Sequence, residues 1–309
     1  MPPPQPHPAK SIPPSRDRLQ SRWLVAAVTL YLIPRLVDVL GSGWIAFEAN
    51  HLHFAFTYPL GWYNIEALCI SVAFAGLAWI LKAATPTAAI CGGLTCLQLT
   101  DPHTAYVSHF ALWHSPIPAL LLLFVLTFAA TRLGRARNEV RGIAESRSGR
   151  RASQVIANLG VAALCVAFSQ RVKFPIVFIP MLAALCEATA DTVSSEIGQA
   201  FGGTPILLTT LRRVPPGTDG AISLNGTLAG IAAAAIVAAS AMPALGMSLT
   251  ELAIALGAGV AGLFFDSLLG ATLERRGFIN NDLVNFASTA FAAALTLPTL
   301  RLLKLTTGY

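Results

Sequence analysis

The sequence has little charge for its length, and this excludes an ordinary soluble protein. Only 12% of its 309 residues are Asp, Glu, Lys or Arg, whereas about 25% is usual in soluble domains. Hydrophobic residues make up 54% of the chain, and its mean hydropathy is +0.62. The composition therefore predicts an integral membrane protein. The net charge of +6 does not indicate nucleic acid binding, because the arginines cluster between apolar runs, as membrane topology requires.

Motifs for several familiar chemistries are missing as well. The five cysteines lie inside apolar stretches without any CxxC pair, so we expect neither a zinc site nor a disulfide framework. The six histidines fall in the N-terminal tail or in predicted outer loops, which argues against histidine acid–base chemistry at the inner face. No GxxxxGK[ST] sequence occurs, so the chain has no P-loop.

Nine apolar segments follow one another along the chain, and most approach the roughly 20 residues that a membrane helix needs. They span residues 23–40, 64–81, 84–99, 116–133, 153–169, 174–190, 221–242, 250–269 and 283–300. The third is the weakest, because it is short and is interrupted by Pro86 and two glycines. We predict an all-α integral membrane protein with about nine transmembrane helices.

The same segments predict three parts of the chain. Residues 1–22 are rich in proline and are expected to form a disordered cytoplasmic tail. Residues 23–63 are expected to form an extra N-terminal transmembrane helix and an external loop. Residues 64–309 then form one polytopic membrane domain, in which no soluble domain is visible.

The distribution of basic residues predicts which side each loop faces. If nine spans alternate and the arginine-rich segment 132–152 is cytoplasmic, most of the 21 basic residues fall on the same side. Basic loops stay in the cytoplasm by the positive-inside rule, so the N-terminus is also expected there. We expect a multi-pass protein of the cell membrane.

Polar residues inside apolar segments cost about 2.5–3.5 kcal/mol each on insertion scales and therefore need a reason. The first such cluster is at the end of the sixth span and contains Asp191, Ser195, Glu196 and Gly198. Carboxylates beside glycines suit Mg²⁺ that carries a phosphorylated ligand. Ordinary polarity at a helix end is the alternative.

A second cluster precedes the seventh span and contains Arg212, Arg213, Gly217, Gly220 and Ser223. Glycines permit close approach of the backbone, N–H groups at a helix start attract anions, and arginines neutralise phosphate. A plain loop whose small residues help helix packing is the alternative.

The third cluster centres on Asp266, which ends an otherwise apolar helix and could serve a site or pair with Arg275 or Arg276. A weaker element is formed by Gln154 and Asn158, which share a helix face. They could line a groove or bond between helices.

Four of these segments together resemble a known family. RRASQVIAN, ATADTVSSEIG, VPPGTDGAISLNGT and FFDSLLGAT, in this order and spacing, resemble the membrane family of plant phytyl-phosphate kinase and its animal and bacterial relatives. That family is in turn similar to the CTP-dependent dolichol and phytol kinases. The resemblance extends over residues 65–300 and leaves the first helix outside.

The resemblance implies a kinase that phosphorylates an isoprenyl alcohol or monophosphate at the cytoplasmic face, with CTP as the expected donor. Asp191, Glu196 and Asp266 would be catalytic and hold Mg²⁺. The nucleotide would contact Ser195, Gly198, Arg212, Arg213, Gly217, Gly220 and Ser223. Gln154 and Asn158 would belong to the groove for the lipid. A secondary transporter, an enzyme like CDP-lipid synthases and a non-catalytic membrane scaffold remain alternatives.

The charge distribution generates a test of topology. Single cysteines introduced as Arg147→Cys and Asp219→Cys, with the five native cysteines replaced by serine, should react with membrane-impermeant maleimide only after the membrane is opened. Labelling of intact cells at either position would contradict the cytoplasmic assignment and would separate the polar clusters.

Overall fold

The computed structural model describes residues 12–51, 59–100, 111–143, 147–172 and 178–307. Within these ranges the chain forms nine α-helices and one small hairpin. The helices are α1 (Pro14–His51), α2 (Pro59–Ile80), α3 (Pro86–Leu99), α4 (Ile117–Val140), α5 (Ala152–Val172), α6 (Phe178–Phe201), α7 (Leu224–Leu245), α8 (Leu249–Leu269) and α9 (Asn281–Thr307). Antiparallel strands β1 (Ile206–Leu207) and β2 (Ala221–Ile222) form the hairpin, with Ile206 opposite Ile222.

The all-α membrane architecture predicted from the sequence is confirmed. Five of the described helices are long and apolar enough to cross a bilayer, namely α1, α2, α4, α7 and α8. Helix α3 has 14 residues and a length of about 21 Å, which is less than a hydrocarbon core of about 30 Å. Each of the nine apolar segments overlaps one helix, whereas the number that crosses the membrane and the side of the N-terminus remain predictions.

The helix ends differ from those expected. Helix α1 begins at Pro14, so residues 14–22 of the predicted disordered tail are helical, whereas residues 1–11 lie outside the described residues. The same helix continues to His51, which shortens the expected external loop. Helix α6 continues to Phe201 and does not end near residue 190. Neighbouring helices enclose this part of α6. A continuous helix satisfies the backbone hydrogen bonds there, so the polar residues do not end it.

Helix α6 lies at the centre of the bundle. It packs against α4, α5, α7, α8 and α9. Its first half contributes Met181, Leu182 and Leu185 to the main hydrophobic core, all three fully buried. Because other helices surround it, α6 can carry polar residues at membrane depth without exposing them to lipid.

Small residues allow α7 to approach α6 closely. A Cβ atom on Gly226 would lie 2.4 Å from the carbonyl oxygen of Ser194, and one on Gly230 would lie 2.4 Å from that of Ala190. Such small-residue interfaces are a usual means of helix association in membranes. The contact holds the polar half of α6 against the start of α7.

Helix α1 is joined to the rest of the bundle by polar contacts near its start and at its middle. The Ser21 hydroxyl donates to Asp282 at 2.6 Å, and the Asn280 amide donates to Asp17 at 2.7 Å. Farther along, Arg35 is 6% exposed and donates to Asn64 of α2 at 2.9 Å. The helix that lies outside the family resemblance is therefore an integral part of the structure.

The α6–α7 contact predicts a difference between two glycine substitutions. Gly226→Ala should lower the apparent Tm in detergent by several degrees, because overpacking typically costs about 1–3 kcal/mol. The matched change Gly257→Ala, at an exposed position of α8 with no atom within 4 Å of the added Cβ, should leave the Tm unchanged or raise it. Thermal unfolding followed by fluorescence-detected gel filtration measures both. Equal Tm values for the two variants would contradict the close contact.

Candidate functional site

A polar cavity lies where α6 and α8 end and α5, α7 and α9 begin. Its empty volume is about 1160 Å³, and its wall is built from these five helices, the loop between α6 and α7, and the π-helical turn Gly270–Glu274. Carboxylates, amides and hydroxyls make up most of this wall. Residues far apart in sequence therefore line one cavity.

Most residues predicted as site residues line this cavity. They are Gln154, Asn158, Asp191, Ser195, Glu196, Gly198, Gly217, Gly220, Ser223 and Asp266. Arg212 and Arg213 do not line it, and both are exposed. Their backbones pair with the hairpin, since Arg212 O accepts from Leu207 and Arg213 bridges Ile206. These two arginines therefore lie apart from the other predicted site residues, and their contact with a nucleotide stays a prediction.

Asp191 and Asp266 come from different helices and face the same cavity. The two carboxylates interact electrostatically, and Ser288 of α9 donates to Asp266 at 3.1 Å. Glu187, one turn before Asp191, is 1% exposed, and its charge would interact with both aspartates. Neither of its buried carboxylate oxygens has a hydrogen-bond partner among the described residues. Ionised carboxylates in a buried region repel one another, so this region favours a cation or bound protons.

Glu187 was not among the predicted site residues, although it stands one turn before Asp191 on α6. Its spacing of four residues from Asp191 in an apolar helix was the available signal. The tertiary contact with α8 and α9, which the sequence does not reveal, brings it to Asp266.

Glu196 faces the neighbouring helix α4 as well as the cavity. Glu196 is 8% exposed, and its two carboxylate oxygens accept hydrogen bonds from Thr131 at 3.0 Å and Asn138 at 3.2 Å. No group of three or more His, Cys, Asp or Glu among the described residues is arranged to hold a metal ion. Asp191, Glu196 and Asp266 are therefore not brought together as three ligands of one ion.

The glycine loop between α6 and α7 rests on the end of α8. Gly220 has φ +71°, and a Cβ atom there would lie 2.1 Å from the backbone nitrogen of Ala271 and 2.4 Å from the carbonyl oxygen of Ser267. Only glycine fits this contact, which joins the second polar cluster to the third. In the same loop, partial desolvation raises the pKa of Asp219 and Arg275 lowers it in part.

Arg150 lines the cavity, whereas Arg212 and Arg213 do not. It lies in the loop before α5, its guanidinium contacts the Thr192 hydroxyl at 3.5 Å, and it interacts electrostatically with Asp191. The sequence contained it within the RRASQVIAN segment, but only the fold shows that this loop reaches α6.

Three amides and a hydroxyl also belong to the wall. Asn158 and Asn285 are hydrogen-bonded across α5 and α9 at 3.3 Å, and Gln154 accepts from the backbone of Arg151 at 2.7 Å. The Ser223 hydroxyl accepts from Gly226 and thereby begins α7. These residues have oxygen and nitrogen groups at the cavity surface that could meet a polar ligand.

Two carboxylates of the wall could hold Mg²⁺ jointly with a phosphorylated ligand. Mg²⁺ commonly takes one or two protein carboxylates, several waters and substrate phosphates, and needs no complete protein cage. Asp191 and Asp266 supply two carboxylates in a region of unfavourable negative charge, and they would be the residues that hold the ion.

Comparisons with known proteins identify the family. Residues 69–293 match the family described as integral membrane protein DUF92, and the chain belongs to this family. The chain is 34% identical over 188 residues to Protein VTE6, chloroplastic, of Arabidopsis thaliana. The aligned region covers 56% of this chain and 55% of that protein, so the chain spans about half the length of this relative.

Relatives also occur in a cyanobacterium and an archaeon. An uncharacterized membrane protein of Synechocystis, sll0875, is 34% identical over 190 residues, with 60% of this chain and 73% of that protein covered. Another from Methanocaldococcus jannaschii, MJ0933, is 35% identical over 170 residues, with 55% and 70% covered. No solved structure matches.

The contacts of Glu196 predict an energetic coupling with α4. Glu196→Gln and Thr131→Val should each lower the stability of the purified protein, and the double variant should lose less than the sum of the two. Hydrogen-bonded neighbours commonly show interaction energies of about 0.5–3 kcal/mol. Thermal unfolding of the four proteins measures this coupling. Strict additivity would mean that Thr131 does not hold Glu196.

Proposed function

We propose that this protein is a phosphotransferase that moves the terminal phosphoryl group of a nucleoside triphosphate, with CTP as the expected donor, to an isoprenyl acceptor. The observation that carries the proposal is that Asp191 and Asp266, from separate sequence motifs, line one cavity with the Gly217–Gly220 loop. Family membership and the 34% identity to Protein VTE6 support it. The resemblance to the phytyl-phosphate kinase family suggests the isoprenyl acceptor.

The division of tasks follows from the wall of the cavity. Bound Mg²⁺ would neutralise charge on the donor phosphates, and Asp191 and Asp266 would hold it there. The loop at Gly217–Gly220, which begins α7 through Ser223, would present backbone N–H groups to the phosphates. Preorganised donors of this kind stabilise the charge that spreads over a transferring phosphoryl group.

The bond changes are those of a simple phosphoryl transfer. An acceptor oxygen forms a bond to the γ-phosphorus of the donor while the bond from that phosphorus to the β–γ bridging oxygen breaks, which releases the nucleoside diphosphate. A monophosphate acceptor is already anionic near neutral pH and needs no strong general base. The absence of histidine from the lining residues agrees with such an acceptor.

The cavity also bears on the transporter alternative. Transporter sites usually lie near the midplane of the bilayer between broken helices. Here the cavity lies at helix ends, and α6 continues unbroken past Asp191. The phosphotransferase is therefore the function that the geometry supports best.

Substitution of the two aspartates is the central test of the proposal. Asp191→Asn and Asp266→Asn should each lower phosphoryl transfer from labelled CTP or ATP to prenyl alcohols or monophosphates by at least about 100-fold, as expected when transition-state charge stabilisation is lost. The assay uses purified protein, a titration of Mg²⁺ and separation of the lipid products.

The matched control is Glu251→Gln, the same acid-to-amide change at the opposite end of α8, where the carboxylate caps the helix start. It should retain activity when the folded protein is quantified. Wild-type protein that transfers no phosphoryl group to any acceptor would reject the proposal, and release of pyrophosphate would instead indicate nucleotidyl transfer.

A further inference from the structure

A second cavity, lined mainly by apolar residues, lies beside the polar one. Its empty volume is about 910 Å³, and it runs between α2, α3, α4, α5 and α6. Phe74, Leu120, Leu123, Phe124 and Leu159 supply much of its surface.

One end of this apolar cavity is basic. Lys82, Arg132 and Arg135 line it there, and the same three residues continue into a cleft with Glu139 and Arg147. Arg132 donates to the Leu81 carbonyl at 2.8 Å and lies 4.9 Å above the Phe128 ring. An apolar cavity with positive charge at one end is complementary to an amphiphile that has an anionic head group.

The two cavities share a wall. Arg150, Asn158 and Thr192 line both of them. A ligand whose hydrocarbon part lay in the apolar cavity could thus present its head to the polar cavity at Arg150. The same guanidinium interacts with Asp191, which faces the polar side.

Backbone hydrogen bonds hold Arg150 at this wall. Arg150 N donates to Ala83 O at 2.9 Å, and Arg150 O accepts from Thr85 N at 3.0 Å. Gly149 permits the approach, because at φ +89° a Cβ atom there would lie 2.6 Å from the Ala83 carbonyl carbon. The loop is therefore pinned to the α2–α3 connection, and the guanidinium is preorganised.

We propose that the apolar cavity binds the hydrocarbon chain of the acceptor and that Arg150 binds an acceptor phosphate at the shared wall. The inference rests on the proposed function and assigns a binding place to each part of an acceptor that carries a phosphate. A guanidinium recognises phosphate through several donors, whereas it has little preference for an uncharged hydroxyl. The mainly apolar lining suits a hydrocarbon chain better than a second nucleotide.

Filling the cavity tests where the chain binds. Gly92 of α3 lines it, and a Cβ atom there would have its nearest contacts at 3.6 Å from Phe74 and 3.9 Å from Val155. Gly92→Leu should raise KM for a C20 prenyl monophosphate by at least about tenfold, by the usual effect of altering a hydrophobic pocket. KM for a C5 monophosphate should change much less. Gly257→Leu, at an exposed position outside both cavities, is the matched control.

Labelling without nucleotide separates binding from catalysis. A photoreactive C20 prenyl monophosphate, added to protein in phosphatidylcholine vesicles, should label α3 and α4 residues such as Ala88 and Phe124. Gly92→Leu should reduce this labelling, whereas Gly257→Leu should not. Arg150→Gln should weaken labelling by the monophosphate but retain labelling by the corresponding photoreactive C20 alcohol, which also shows that the variant is folded.

The outcomes distinguish this inference from the proposed function. Labelling on other helices, or a co-purified phospholipid that the monophosphate does not displace, would overturn the cavity assignment. The assignment would also fail if the wild-type protein is an active kinase and Gly92→Leu leaves the dependence of KM on chain length unchanged. Labelling of the cavity without phosphoryl transfer to any acceptor would support the lipid site while rejecting the kinase.

Discussion

Burying carboxylates within a membrane bundle is the constraint on which the rest of this structure depends. A charged group in hydrocarbon has no water to solvate it, so the helix that carries Asp191 and Glu187 must be enclosed by other helices. Helix α6 is enclosed by five of them. The glycines of α7 and α8 that face α6 follow from the same need, because only small residues let the enclosing helices come close enough.

The glycines of the polar motifs have a structural task as well as any ligand-binding one. Gly220 meets the backbone of α8 directly, and Gly198 adjoins the Ser223 hydroxyl. Three segments that are distant in sequence are thereby fixed to one another through backbone contacts. A cavity built in this way keeps its shape without help from long side chains, and this preorganisation favours both binding and catalysis.

The sequence predicted the helical segments well because apolar runs report burial in lipid or protein directly. It predicted their ends poorly, since the polar residues after Asp191 resembled a helix terminus while α6 continues to Phe201. Ten predicted residues line one cavity because motif order and membrane topology restrict where loops can meet. The sequence does not assign a site role to Arg150 or Glu187, and Arg212 and Arg213 lie outside the cavity wall. Tertiary contacts between loops and helices decide these placements and leave no periodic signal.

The wall formed by Arg150, Asn158 and Thr192 belongs to two cavities at once. A molecule that moves this wall from one side changes the space on the other side. Affinities on the two sides are then thermodynamically linked, and the linkage is reciprocal: whatever factor the first ligand applies to the second, the second applies to the first. In a bundle with one shared partition, an apolar ligand and a water-soluble one could therefore affect each other's affinity without any hinge or moving domain.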